Sequence, residues 1–243
     1  MERIAVVTGG GTGIGREVAQ LLAAEGAEVV ITGRRAEVLE KTAAELGGNV
    51  RGVAFDASDP AGVQAALGEL PERVDVLVNN AGGAAALVRE APAPGDLTAV
   101  RDAWLADVHL NLMTAVLVTE ALEPRLADGA RVVSVGSLGG RKGEGSYGAM
   151  KAAVESWNVG LAFRLGPRGI TANVVSPGLI DDTEFFHGQM TDEWRRSLAV
   201  QAANGRAGTP AEVAAAIAFL ASPAAGHVTA QVIHVNGGSY SGF

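Results

Sequence analysis

The stretch that most restricts what this chain can fold into lies at its start. Arg3 to Val7 is a short, almost wholly apolar run. Thr8 comes next, then Gly9, Gly10, Gly11, Thr12, Gly13, Ile14 and Gly15, before Val18, Ala19, Leu21 and Leu22 take up helical spacing. An apolar run without alternation reads as a strand buried on both faces, as in the middle of a parallel sheet. A strand, a tight glycine turn and a helix N-terminus in succession let backbone N–H groups and the helix dipole meet a pyrophosphate with no Cβ in the way. A glycine cluster alone is also an ordinary turn, and it is the flanking strand and helix that point to phosphate.

Six more strand-like runs are present: Glu28 to Thr32, Val50 to Phe55, Val74 to Val78, Arg131 to Val135, Ile170 to Val175 and Gln231 to Val235. Helical patterns separate them, over Glu37 to Leu46, from Pro60 behind a capping Asp59, over a long stretch from Val100 to Leu122, and from Thr209-Pro210 to Leu220 with Glu212 completing a capping box. Strands alternating with helices predict an α/β fold with one doubly wound parallel sheet of about seven strands. No linker-like segment interrupts residues 1–243, so a single domain is expected. Ligands then bind outside the C-terminal strand ends.

Several residues fall at that edge. Gly33-Arg34-Arg35 ends the second strand, where the adenosine ribose of a dinucleotide would lie. A carboxylate there would accept from a ribose 2′-hydroxyl, whereas an arginine pairs with a 2′-phosphate, so Arg34 points to NADP(H); the plainer alternative is two arginines solvating a helix start. Asp56 ends the third strand. Asn79, Asn80, Ala81 and Gly82 end the fourth and either satisfy a turn or floor an adenosine pocket. Asn111 interrupts the apolar face of the long helix, which suits a hydrogen-bonded core residue as well as a functional one. Residues 181–207 carry Phe185, Phe186, Met190 and Trp194 among charges, consistent with a partly helical lid over a small apolar substrate or with a packing element.

The chemistry is expected between Ser137 and Lys151. Tyr147 and Lys151 stand four apart at the start of a helical pattern, so phenol and ammonium share one helix face. Lowering a phenol pKa by roughly 3 units needs about 4 kcal/mol, and one cation at ~5 Å with an effective dielectric near ~20 supplies about 3 kcal/mol. An acidified tyrosine is therefore expected, with a second positive charge closing the gap.

Composition removes the rivals. The absence of Cys excludes a disulfide framework, a thiolate zinc site and a cysteine nucleophile. His109, His187, His227 and His234 have no metal-ligand spacing, and neither Ser137 nor Ser146 sits in a nucleophile elbow, so no metal is expected. A net charge of −8 with scattered cations argues against nucleic acid. Charges interrupt the apolar stretches before any could cross a bilayer, and Met1-Glu2-Arg3 leads directly into a strand with no room for a signal peptide; a cytoplasmic protein is expected.

With these residues in view, the chain resembles the short-chain dehydrogenase/reductase family over nearly its whole length: the glycine loop Thr8-Gly9 to Gly13-Ile14-Gly15, the Asn79-Asn80-Ala81-Gly82 segment, and Tyr147 with Lys151, in the family's order. The resemblance implies a Rossmann fold and hydride transfer between NADP(H) and a small carbonyl or alcohol substrate. It makes Tyr147 the general acid/base, Lys151 the residue that lowers its pKa and holds the nicotinamide ribose, Ser137 the donor polarising the carbonyl, and Asn111 a member of a proton relay. It assigns Gly9, Thr12, Gly13, Ile14, Gly15, Arg34, Arg35, Asp56, Asn79, Ala81 and Gly82 to the cofactor, with Pro177, Gly178 and Ile180 bordering the nicotinamide and Thr183 reaching the carboxamide or pyrophosphate. Two departures stand out. Ser137 lies closer to Tyr147 than is usual in the family, leaving Ser134 as the fallback, and Thr12 replaces the basic residue many NADP-preferring members carry. The resemblance also implies a homotetramer or dimer built on two long helices. A 3-oxoacyl-carrier-protein reductase, with Arg141 and Lys142 as docking residues, and a non-catalytic dinucleotide sensor remain as alternatives.

Overall fold

The computed structural model describes residues 3–88 and 91–241. Seven strands, β1 (Ile4–Thr8), β2 (Glu28–Gly33), β3 (Val50–Ala54), β4 (Val74–Asn79), β5 (Leu126–Val135), β6 (Thr171–Pro177) and β7 (Val232–Val235), form one sheet. Every pairing is parallel, in the order β3-β2-β1-β4-β5-β6-β7. The order reverses between β1 and β4, and at that switch point the connections leave toward opposite faces and open a crevice at the strands' C-terminal ends. The expected α/β architecture is therefore present, with strand ends shifted by a residue or two and β5 reaching back to Leu126.

Alternation along the strands builds two cores. Ala5 and Val7 face one layer, shared with Val18 and Leu22 of α1 (Gly13–Ala24). Val6 and Leu77 face the other, which the later helices cover. Next come α2 (Ala36–Leu46) and α3 (Pro60–Ala66). Asp59 caps α3 by accepting from the N–H groups of Ala61 and Gly62, as its place before a proline implied.

The long helical stretch is continuous but not uniform. It runs as α4 (Leu97–Asp107), a π-helical turn (Val108–Met113) and α5 (Thr114–Leu122). A single extra residue in the turn rotates the helix beyond it, and such turns recur at functional sites. Contrary to the expectation from charge spacing, residues 97–125 are long and apolar enough to cross a membrane by length and composition. Here they pack on β4, α3 and the helix at 145–165, with 39% of the most apolar stretch buried.

The remaining helices are α6 (Gly139–Lys142), α7 (Gly145–Leu165), α8 (Asp192–Ala199) and α9 (Pro210–Ala221). Thr209 and Glu212 form the anticipated capping box on α9. The segment 181–207 is partly helical, with a short 3-10 turn (Glu184–Phe186) and α8. Arg89 and Glu90 of the irregular stretch before α4 lie outside the described residues.

Leu22 has no exposed surface and joins α1 to the layer it shares with α9. Leu22→Ala should cost about 2–5 kcal/mol, read as a lower denaturant midpoint at unchanged slope.

Candidate active site

A cleft of about 930 Å³ opens along the C-terminal strand ends, at the large end of the range for ligand pockets. At its first end lies the glycine loop. Gly13 has φ +53°, a left-handed conformation that an L side chain would strain. Thr12 stands at the N-cap of α1, yet its hydroxyl makes no capping bond, so the free N–H groups of the first turn are left for something else. Asn80 braces the loop from β4, its amide nitrogen donating to the carbonyls of Thr8 (3.1 Å) and Gly9 (3.0 Å).

Arg34, Arg35, Asp56, Ala81 and Gly82 line the same cleft. At Asp56 burial works against the charge, but the Ser58 N–H and hydroxyl, helped by Arg34 and His109, outweigh it and hold the carboxyl below its ordinary range. Arg35 reaches across the opening to Glu184 of the lid (2.7 Å), whose carboxylate also accepts from Thr12 at 3.5 Å.

The far end holds the reactive groups. Lys151 is buried on α7, and its ammonium donates to the Val135 carbonyl at 2.9 Å. The nitrogen lies over the Tyr147 ring, 5.9 Å from its centre. The Ser137 hydroxyl stands beside the Tyr147 phenol and favours its ionised form, and the Ser137 oxygen accepts the Gly139 N–H at 3.1 Å. From the lid, Phe185 packs on the Tyr147 ring at 5.6 Å between centres, in a turn bracketed by the left-handed residues Asp182 and His187. Pro177, Gly178, Ile180 and Thr183 border this half, with Thr183 against Gly13.

The expected acidified phenol is not what the protein's own charges produce. Burial, then the carboxylates of Glu144 and Asp107, push Tyr147 up to about 12 against the lowering effect of the Ser137 hydrogen bond. Lys151, 5.9 Å from the ring centre, does not reverse that rise, and burial lowers Lys151 itself to about 8. At neutral pH this phenol keeps its proton.

A family model described as enoyl-(acyl carrier protein) reductase matches residues 9–240. The 3-oxoacyl-(acyl-carrier-protein) reductase of Escherichia coli is 34% identical over 98% of this chain and 97% of its own length. Short-chain reductase protein NovJ of Streptomyces niveus is 33% identical over 98% and 94%. The chain belongs to the short-chain dehydrogenase/reductase family. Among solved structures, a blue fluorescent protein from a metagenomic library in complex with NADPH superposes with a TM-score of 0.86 at 32% identity, covering 98% of each chain. A short-chain dehydrogenase of Burkholderia cenocepacia in complex with NADP gives 0.85 at 33%, covering 99% and 98%.

Within that family frame, four residues do not line the cleft. Asn79 does not reach the cleft: a strand's alternation turns it inward, where its amide donates to Thr119 (2.9 Å) and Ser134 (3.4 Å), and Asn80 takes the wall. Gly15 lines no part of the cleft. A Cβ there would stand 2.2 Å from the Gly9 carbonyl oxygen, so Gly15 lets α1 close against the loop instead of touching a ligand. Ser134 is fully buried beneath Asn79, which leaves Ser137 as the serine beside Tyr147. Asn111 also sits behind the wall: it donates to the Gly83 carbonyl (2.7 Å) and accepts the Gly83 N–H (3.2 Å). A Cβ on Gly82 would meet both Asn111 Oδ1 (2.9 Å) and Lys151 Nζ (3.3 Å), so the two side chains meet across one glycine.

Residues that the sequence did not single out are Asp107, Glu144 and Glu184. Asp107 and Glu184 act across long separations, and only Glu144, three before Tyr147, carried a positional signal. Arg141 and Lys142 are both engaged, the first with buried Glu155 (2.5 Å) and the second with Gln201 of the lid (2.7 Å).

Lys151 binds its proton less tightly in the folded protein than in the unfolded chain. Between about 8 and the ordinary 10.5 the unfolded chain therefore holds more protons, and stability rises with pH across that window. Lys151→Met should melt at a higher temperature than the wild type below pH 8, and the gain should shrink toward pH 10.5 in a pH series of thermal unfolding.

Proposed function

We propose that the chain is an NADP(H)-dependent carbonyl reductase in which Tyr147 is the general acid. The arrangement that supports this reading is a phenol that keeps its proton, with the Ser137 hydroxyl beside it and the Lys151 ammonium 5.9 Å from its ring centre, lining a cleft that begins at the glycine loop. The cleft fits a dinucleotide: the uncapped first turn of α1 and Gly13 suit a pyrophosphate, and Arg34 with Arg35 suits a 2′-phosphate. When bound, the cofactor supplies the hydride and, once oxidised, a positive charge beside the phenol.

Tyr147 gives its proton to the substrate's carbonyl oxygen. Because the Ser137 oxygen already accepts the Gly139 N–H, its own proton is free to point at that oxygen or at the phenol, polarising the carbonyl. Lys151, fixed by the Val135 carbonyl, presents its remaining N–H donors toward the cleft and toward Asn111 across Gly82.

Preference for NADP(H) rests mainly on Arg34, since Arg35 is already shared with Glu184. That pair is exposed at both ends and is worth less than about 1 kcal/mol, so a phosphate can take Arg35 from it. The complexes of two neighbours with NADPH and NADP support the same choice. A second reading, reduction of a 3-oxoacyl group on a carrier protein, is favoured by the names of the relatives, but the pairing of Arg141 and Lys142 within the chain weakens their docking role. Leu105 of α4 and Phe163 of α7 are exposed apolar residues on the two long helices and suit a second copy of the chain; a monomer in sedimentation velocity would remove that assembly.

Tyr147→Phe should bind NADPH within about twofold of wild type while losing roughly 100-fold or more in turnover of a screened ketone. Arg34→Ala should weaken NADPH binding and leave NADH binding unchanged. An active Tyr147→Phe would refute that residue as the acid, and wild type that binds NADPH without oxidising it in the presence of any carbonyl would return the sensor reading.

A further inference from the structure

Asp107 is the last residue of α4, and only 1% of its surface is exposed. Its carboxylate accepts three hydrogen bonds from three different parts of the chain. The Ser146 hydroxyl donates to Oδ2 at 2.6 Å, from the first turn of α7 and the position next to Tyr147. The Ala85 N–H donates to Oδ1 at 3.0 Å, from the loop after β4. The Asn111 amide donates to Oδ1 at 3.4 Å, and to the Asp107 backbone carbonyl at 3.3 Å, from the π-helical turn. No other side chain joins the turn that carries Asn111 directly to the turn that carries Tyr147 among the hydrogen bonds of the described residues.

Burying a carboxylate is costly unless donors surround it, and fixed donors on rigid elements make it a rigid joint. Helix packing alone would hold α4 and α7 together with an apolar residue at this place. An acid does two things that an apolar residue cannot: it fixes the rotation of the first turn of α7 through Ser146, and it presents negative charge to the phenol.

We propose that Asp107 is a positioning residue for the reaction, fastening the turn of Asn111 to the turn of Tyr147 and keeping a negative charge facing the phenol. The proposal rests on Tyr147 being the general acid. The groups around that phenol are Glu144 at the start of α7, Asp107 from α4, Lys151 one turn along α7 and the Ser137 hydroxyl, while the lid sets the uncharged ring of Phe185 against it. Burial, the Ser137 hydroxyl and the two carboxylates therefore set when the proton leaves. Removing Asp107's charge should let it leave at lower pH.

The test uses Asp107→Asn and Ser146→Ala in the full chain, with NADPH affinity, turnover of the ketone the wild type reduces fastest, and spectrophotometric titration of the phenol blanked against the matching Tyr147→Phe background. The chain has two tyrosines, Tyr147 and Tyr240, which makes the blank clean. Asp107→Asn should retain NADPH affinity within about twofold, lose roughly 10- to 100-fold in turnover through misplacement of the acid, and ionise the phenol at lower pH. Ser146→Ala keeps the charge and loses the joint: turnover falls, and the phenol titrates as in wild type. Asn at 107 with wild-type turnover, or with an unmoved titration, overturns the proposal; a purely structural acid would give the second result. Should Asp107→Asn not fold, undiminished turnover in Ser146→Ala overturns it alone. Failure of the underlying reading shows separately, as a Tyr147→Phe enzyme that still turns over.

Discussion

The site depends on one buried charge. Lys151 carries an ammonium into the space between α7 and the end of β5, and no carboxylate meets it there among the hydrogen bonds and ion pairs of the described residues; its hydrogen-bond partner is the Val135 carbonyl. Desolvation drives its pKa from the ordinary 10.5 down to about 8, a cost on the order of 3 kcal/mol. A globular domain has only about 5–15 kcal/mol of net stability, so one side chain takes up a large part of it. The sheet and its two apolar layers supply the surplus, and the ammonium is thereby held in one orientation beside a phenol and a ligand cleft.

That placement explains why spacing alone misjudges the tyrosine. A Tyr and a Lys four apart on a helix do share a face, and Coulomb's law between them is attractive for the phenolate. Yet the fold buries the phenol, and the carboxylates of Glu144 and Asp107 act on it as well. Local sequence decides which residues share a face; it does not report what the rest of the fold brings to that face. With the chain's own charges the proton stays on the phenol, and a further positive charge beside it would loosen it.

Much of the architecture was legible because the signals were local. Apolar runs marked all seven strands, Asp59 and Thr209 marked helix starts, and the glycine loop marked the switch-point end of the cleft. The misses were cases where one residue's orientation decides. Asn79 and Asn80 are adjacent, and the strand's two-residue period sends one into the core and the other to the glycine loop. Gly15 looked like part of the ligand loop, but its value is a close backbone approach to Gly9. The π-helical turn at Asn111 changes register without changing apolar spacing enough to be seen. Ion pairs such as Arg35 with Glu184 join residues 149 apart, and no one-dimensional pattern encodes them.

The lid is held by contacts of the same long-range kind. Glu184 and Phe185 are neighbours in sequence, yet one holds Arg35 and Thr12 at the glycine-loop end while the other packs on Tyr147 at the reactive end. An exposed ion pair is worth less than about 1 kcal/mol and an aromatic pair about 0.5–1.5 kcal/mol beyond its burial. Gln189 of the same segment donates to the Leu87 carbonyl, and Gln201 accepts from Lys142. One short turn thus touches both ends of the cleft, and its position is set by several weak contacts to residues far away in the chain rather than by any single strong one.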